Sequence, residues 1–218
     1  MDDPEEQQAT VVVKVGGSLL ATPGGIAAVG VWLEESAAPG VRRLLVAGGG
    51  PVVDGLRRVD QANPLPAEQS HWAAIRLMDA NTRLLAAWLP VLQTFDWPIQ
   101  PGDGVGDAAV GVVAWLRADE PRQPGERLRI GWETTSDAIA ARLASVCCAG
   151  LVILKFGCTT RYDSLAAAAA AGVVDGQTPR VAGGLRRIEI LSLKARPPHE
   201  SQAGQGASTF CVFSQGKA

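Results

Sequence analysis

Val11-Val12-Val13-Lys14-Val15-Gly16-Gly17-Ser18-Leu19-Leu20 is the stretch from which the fold is read. Its β-branched run predicts a short buried strand. A lysine inside such a strand costs free energy unless its ammonium reaches a partner at the strand's end. Two adjacent glycines lack the Cβ atoms that would hold a ligand away from the backbone amides. Strand, lysine, glycine pair and hydroxyl together suit an anion, phosphate foremost. From these residues alone, an ordinary turn with a snorkelling lysine stands as the alternative.

The next strand repeats the design. Arg42 to Ala47 ends on Gly48-Gly49-Gly50-Pro51, and a helix follows with Val52, Val53, Leu56 and Val59 inward. A glycine triplet between strand and helix fits a phosphate-binding turn, with a tight connection as the plain alternative. It is not a dinucleotide fingerprint, because Val53 stands where that pattern needs glycine, and no G-x-x-x-x-G-K-[ST] occurs. Leu151 to Lys155 is another apolar strand, and its lysine should emerge at the same edge. Thr135-Ser136-Asp137 precedes a helix running to Cys147. Either Ser136 caps that helix with Asp137 favouring its dipole, or Asp137 points back to lysines and phosphates and orients ammonium groups. His71-Trp72 opens a long helix, Glu68 to Leu89, with Asp79 two turns later. A lone histidine there has a structural reading as well as a functional one.

Further elements are a helix over Gly25–Ser36, strands over Val91–Thr94 and Leu128–Ile130, and a helix over Ser164–Ala171. Leu185–Leu193 is mixed, with Ile188, Ile190 and Leu193 buried, and a last strand covers Ala207–Phe213. Asp107–Leu116 suits helix or strand. Asp96–Asp107 and Gly172–Gly184 read as loops, and Ala195–Gly206 as polar and mobile. Strands alternating with helices predict an α/β fold, a three-layer α/β/α sandwich over a mainly parallel sheet. Ligands in such sheets bind outside the carboxyl ends of the strands, where both glycine turns and Lys155 fall.

The 218 residues suffice for one large domain or two lobes, and the net charge of -2 comes without a basic stripe. Nucleic acid is therefore not an expected partner. Cys147, Cys148, Cys158 and Cys211 match neither a disulfide framework nor a zinc spacing, so reduced thiols and a cytoplasmic location are expected, with no metal held by a cysteine set. Residues 1–10 read as a disordered acidic tail rather than a signal peptide, and no apolar stretch is long enough to span a bilayer.

Lys14-Val15-Gly16-Gly17-Ser18, Gly48-Gly49-Gly50 and Thr135-Ser136-Asp137-Ala138-Ile139-Ala140, in that order, resemble the amino acid kinase family, carbamate kinase-like in fold. Ser70-His71-Trp72-Ala73-Ala74-Ile75, Met78-Asp79 and Trp132-Glu133-Thr134-Thr135-Ser136-Asp137 resemble more narrowly the branch holding the methanofuran-pathway aminomethyl-furan phosphate kinase. The resemblance implies a single domain over 11–218, with an acceptor lobe at 11–150 and a shortened nucleotide lobe at 151–218. It implies ATP and Mg²⁺, a small-molecule phosphate acceptor and a homo-oligomer, dimer or higher.

On that resemblance Lys14, Asp137 and Lys155 are the expected catalytic set, and Gly16, Gly17, Ser18, Gly48, Gly49 and Gly50 hold phosphate. Asp54, Arg58, His71, Trp72 and Asp79 are assigned to the acceptor. Lys155, Phe156, Gly157 and Arg180 are assigned to the nucleotide, Arg180 standing where many members carry a later lysine. The aspartate-rich turn common in the family is replaced by Phe156-Gly157-Cys158. The short nucleotide lobe keeps open a second reading, a non-catalytic binding or storage protein, beside another small-molecule kinase of the family.

Overall fold

In the computed structural model, which describes residues 9–96, 106–194 and 208–214, the valine run becomes the middle of strand β1, Ala9–Val15. β1 is hydrogen-bonded on both sides by parallel neighbours, β2 (Val41–Ala47) and β5 (Gly150–Phe156). A strand buried on both faces is apolar without alternation, which is why the run carries so few polar residues. Beyond β2 lie β4 (Ala108–Gly111) and β3 (Gln93–Asp96), and beyond β5 lie β6 (Arg187–Leu193) and β7 (Ser208–Ser214). The order is β3-β4-β2-β1-β5-β6-β7, and only β7 runs antiparallel to its neighbour.

Helices cover both faces. Val13, Val15, Leu45 and Leu154 pack with Leu19 of α1 (Gly17–Ala21), with Val29, Trp32 and Leu33 of α2 (Gly25–Glu35), and with Leu85. Leu85 belongs to the far end of α4 (Ala67–Trp88), which follows α3 (Gly50–Ala62). On the other face, Val12, Leu44, Val46, Ile153 and Ile190 pack with Ile75 of α4, Trp115 of α5 (Val113–Ala118), and Ile139 and Leu143 of α6 (Ser136–Val146). Val181 of α8 (Thr178–Val181) and Ala168 of α7 (Leu165–Ala170) complete that layer. Ala138 to Ala144 of α6 are all buried, because the helix is covered by the sheet and by α8 together. Its alanines allow close approach, and each fully buried Ile or Leu adds about 1.5–3 kcal/mol.

Several local expectations change. Asp107–Leu116 resolves into both alternatives, strand β4 followed by helix α5. Leu128–Ile130 is not a strand. Side chains satisfy its backbone instead: Leu128 N–H donates to Glu120 Oε1 (3.4 Å) and Arg129 N–H to Gln177 Oε1 (3.2 Å). The expected loop at Gly172–Gly184 contains α8, and the first glycine turn opens straight into α1. The long helix was read by its apolar residues, yet Leu84 and Trp88 are exposed. The buried stripe runs through His71, Ala74, Ile75, Met78, Asn81, Thr82 and Leu85. Ala9 and Thr10, expected in the tail, belong to β1, where they pair with Val41 and Arg42 of β2; the rest of the expected tail, most of the 96–107 loop and the polar stretch before β7 lie outside the described residues. Among the described residues no helix is long and apolar enough to cross a membrane.

Candidate active site

Strand parity decides where the two lysines point. Lys14 lies two residues beyond Val12, and Lys155 two beyond Ile153, so both sit on the sheet face that α6 covers. Asp137, the second residue of α6, meets both. Lys14 Nζ forms an ion pair with Asp137 Oδ1 at 2.8 Å, and Lys155 Nζ donates to Oδ2 at 2.7 Å. Oδ1 has no aligned hydrogen bond beside that ion pair. Lys14 is 5% exposed and Asp137 4%, so water screens their interaction poorly. Burial pulls the Lys14 ammonium down from 10.5 to about 8, opposed by the Asp137 charge and reinforced by Lys155. Burial pushes the Asp137 carboxyl upward, but the two ammonium groups outweigh it and hold the acid below its usual range. Two cations on one carboxylate leave an excess positive charge at the edge of the sheet.

The glycine turns enclose this charge. Gly48 N–H donates to Val15 O at 2.8 Å, and Gly16 N–H to Leu154 O at 2.8 Å. A Cβ on Gly17 would lie 2.2 Å from Gly50 N, and one on Gly50 would lie 2.5 Å from Gly17 O. The glycines therefore serve packing of turn on turn as well as ligand approach. Gly50 also has φ +52°, where other residues are strained. Asn81 of α4 donates from Nδ2 to Gly48 O (2.8 Å) and Gly49 O (2.9 Å), fixing the second turn. Thr82 Oγ1 accepts from Ala47 N–H at 3.1 Å.

A cleft of about 490 Å³ opens over these groups. Of the expected residues, Lys14, Gly16, Gly17, Ser18, Gly49, Gly50, Asp54 and Lys155 line it. Gly48 is buried beneath, where a Cβ would come 3.3 Å from Lys14 Cε. The opposite wall was missed. Arg57 and Trp132 line the cleft, the guanidinium 4.9 Å from the ring centroid. Trp132 Nε1 donates to Asp60 Oδ2 at 2.8 Å, and Arg57 approaches Asp54 at 3.5 Å. Asp60, Arg57 and Asp54 recur every three residues on α3, a spacing that places them on one side and is visible in the sequence.

Other expected residues lie elsewhere. Arg57, not its neighbour Arg58, lines the cleft, because one step along a helix turns the side chain away. His71 lies one turn before the cleft-lining Ala74 and Ile75 and meets Gly131: Gly131 N–H donates to Nδ1 at 3.3 Å, and Gly131 O lies 3.2 Å from the same atom. Trp72 faces Arg117 and a different cavity. Asp79 accepts from Val112 N–H (2.8 Å) and Val113 N–H (3.1 Å), serving the start of α5. Phe156, the last residue of β5, and Gly157 after it are outside the cleft lining, and Arg180 is paired with Glu126. Ser136 does not cap α6 through its side chain. Asp175 does that work from a distant loop: its Oδ2 accepts from Thr135 Oγ1 (2.6 Å) and Ala138 N–H (3.1 Å). Its Oδ1 accepts from Gln177 N–H and Thr178 N–H, both at 2.9 Å, at the start of α8. Among the described residues no group of three His, Cys, Asp or Glu is placed to hold a metal ion.

Residues 9–109 match the sequence model of the amino acid kinase family. None of the curated proteins matches the sequence. Among solved structures, aspartate kinase from Synechocystis superposes with a TM-score of 0.62 at 15% identity, over 96% of this chain and 40% of that one. The chain thus spans well under half of that kinase. UMP kinase from Bacillus anthracis gives 0.59 at 12% identity, covering 87% of this chain and 88% of that one. Uridylate kinase from Archaeoglobus fulgidus gives 0.56 at 16%, covering 93% and 98%. At these identities the likeness is one of fold. Over residues 9–109 the sequence is thus similar to the amino acid kinase family, and the described chain shares the α/β fold of these kinases.

Proposed function

We propose that this protein is a phosphotransferase that moves the γ-phosphoryl group of ATP to a small phosphorylated or carboxylated acceptor. The observation that carries the reading is the buried Lys14–Asp137–Lys155 cluster beneath two interlocked glycine turns. Phosphoryl transfer asks a protein for positioning and charge neutralisation rather than covalent chemistry. Lys14 and Lys155 supply the charge, Asp137 positions both, and the glycine-turn amides other than those of Gly16 and Gly48, which donate to backbone carbonyls, would meet the phosphates. A phosphate or carboxylate acceptor is already an anionic nucleophile at neutral pH, so the reaction is an in-line displacement without a general base. Mg²⁺, arriving with ATP, would neutralise phosphate charge, its shell filled by phosphate oxygens and water rather than a carboxylate cage.

For the acceptor, the Trp132 ring offers a flat apolar wall and Asp54 a carboxylate suited to an amine. Those two features favour a small amine-bearing ring such as an aminomethyl-furan-methyl phosphate, in C1-carrier cofactor synthesis. The reading takes 11–150 as the acceptor lobe and 151–218 as the nucleotide lobe of a cytoplasmic homo-oligomer. Arg180 would have to exchange Glu126 for a nucleotide phosphate.

The test is Mg-ATP with a panel of phosphorylated and carboxylated acceptors, following ADP and the new product by mass spectrometry. Transfer that disappears in Lys14→Met supports the reading. Binding of Mg-ATP without transfer to any acceptor would favour a binding protein, and neither binding nor turnover would overturn the kinase reading.

A further inference from the structure

We infer that a second cavity, separated from the Lys14 cleft by the first turns of α4, binds a small organic anion carrying a flat ring. The cavity has a volume of about 470 Å³. Trp72, Leu116 and Leu128 give it an apolar wall, and Arg117, Arg127 and Arg129 bring positive charge to its lining.

The charge is not compensated from within. Of the two acids in the lining, Glu120 is held by Arg142, whose Nε donates to Oε1 at 3.0 Å, so only Glu68 remains. Arg127 and Arg129 have no ion pair among the described residues, and Arg117 lies with its guanidinium 4.5 Å from the Trp72 ring centroid. The segment that carries Arg127 and Arg129 is held by backbone donation at Leu128 and Arg129, so these cations hang from a fixed support.

Guanidinium forks match carboxylate and phosphate oxygens in pairs. A bare inorganic anion would leave the Trp72 wall uncovered, and a neutral ring would leave the arginines uncompensated. A ring bearing a phosphate or carboxylate satisfies both, stacking on Trp72 while its anion meets the arginines. The cavity does not merge with the cleft. His71 packs on the Gly131 backbone, and the residues on either side, Ile130 and Trp132, turn into different cavities.

The inference stands apart from the phosphotransferase reading, and calorimetry with phenyl phosphate separates the two. The wild type should bind two equivalents. Lys14→Met should retain one of them, and adding Arg127→Gln with Arg129→Gln to that variant should remove it. Both arginines are exposed, so their loss does not threaten folding, which thermal melts would verify. In the Lys14→Met background, Trp72→Ala should weaken phenyl phosphate by about tenfold or more, the scale of one lost stacking contact. Inorganic phosphate should bind there at least about tenfold more weakly than phenyl phosphate. If Lys14→Met binds no phenyl phosphate, or if the double arginine change leaves its binding intact, the inference is overturned. Binding that survives Lys14→Met while no kinase activity is ever found would sink the phosphotransferase reading alone.

Discussion

Asp137→Asn tests the centre of the site, because it removes one charge and almost no volume. In the native protein Lys14 titrates at about 8 with Asp137 beside it, so about nine-tenths of it is charged at pH 7. The substitution deletes the charge that raises this value and leaves burial and the Lys155 ammonium, which both lower it. An opposite charge at this range is worth roughly 1–3 pH units, so Lys14 in the variant should be between about half and almost wholly neutral at pH 7. Losing one preorganised charge on the phosphoryl group should cut kcat by about two to three orders of magnitude at pH 7, with a smaller change in acceptor KM. The pH profile carries the sharper signature. Native activity should fall as pH rises through about 8, and the variant's fall should move to lower pH. Stability gives a readout free of substrate. Lys14 has a lowered proton affinity in the fold, so the unfolded chain binds more protons between about 8 and 10.5, and stability should rise with pH across that window. The buried charge costs about 3 kcal/mol below it, at about 1.4 kcal/mol per tenfold change in proton affinity. Asp137 acts with the opposite sign: its lowered carboxyl contributes above the usual carboxylate range and is lost as acid protonates it. Urea melts from pH 3 to 10 would show both limbs; in Asp137→Asn the acid limb should vanish, and the Lys14 limb should begin at lower pH, because its proton affinity in the fold drops further. A variant with native kcat and an unshifted profile would refute the charge-positioning role and leave Asp137 as a helix-end residue, where Asn serves equally well.

Three further outcomes follow from the packing. Gly17→Ala places a methyl 2.2 Å from Gly50 N, between two backbones that cannot both move, and should cost about 3 kcal/mol or more in chemical denaturation; a neutral result would show that the turns are not interlocked. Asn81→Ala strips one buried and one half-buried carbonyl of their donor and should lower stability by about 1–3 kcal/mol, with phosphate binding weakened beyond what Thr82→Val produces. Glu120→Gln leaves the Arg142 guanidinium buried without its carboxylate and should cost about 3–5 kcal/mol in the same melts, whereas phosphate affinity in the cleft stays native.

The parts of the site legible in the sequence are those fixed by local rules. Lys14 and Lys155 end apolar strands, and two-residue alternation is enough to put both on one face. Asp137 was recognisable as either a helix-end residue or a partner for the lysines, and only the register of β1 against β5 chooses between them. What was missed depends on where helices cross the sheet. The stripe of α4 passes through Asn81 and Thr82, and a reading that follows apolar residues discards them, although they are buried because they bind the glycine turn and the end of β2. The resemblance assigns His71 and Trp72 to the acceptor; one helical turn separates them from that cleft. Asp175 reaches the start of α6 from 38 residues beyond Asp137, and nothing local in the sequence announces it.

The choice of lysine at the centre follows from what surrounds it. The chain's lysines are Lys14, Lys155, Lys194 and Lys217, and its other cationic side chains are arginines or its few histidines. At Arg43 and Arg142 it buries a whole cationic side chain for structure, and each guanidinium nitrogen has a partner. Arg43 Nε donates to Asp107 (2.8 Å) and Nη1 to Leu33 O (2.6 Å), while Arg142 adds Pro124 O (2.8 Å) and Gln123 O (3.1 Å) to Glu120. A guanidinium whose three nitrogens are all engaged in this way has little left for a ligand. At the β1 edge the acceptor offered is one carboxylate shared between two cations. A compact ammonium with three rotatable donors gives one direction to Asp137 and keeps the others for an incoming anion. An arginine at position 14 would need more acceptors than this one shared carboxylate offers. The same shortage of acceptors that makes the buried charge costly means that the oxygens of an anion entering the cleft would relieve it.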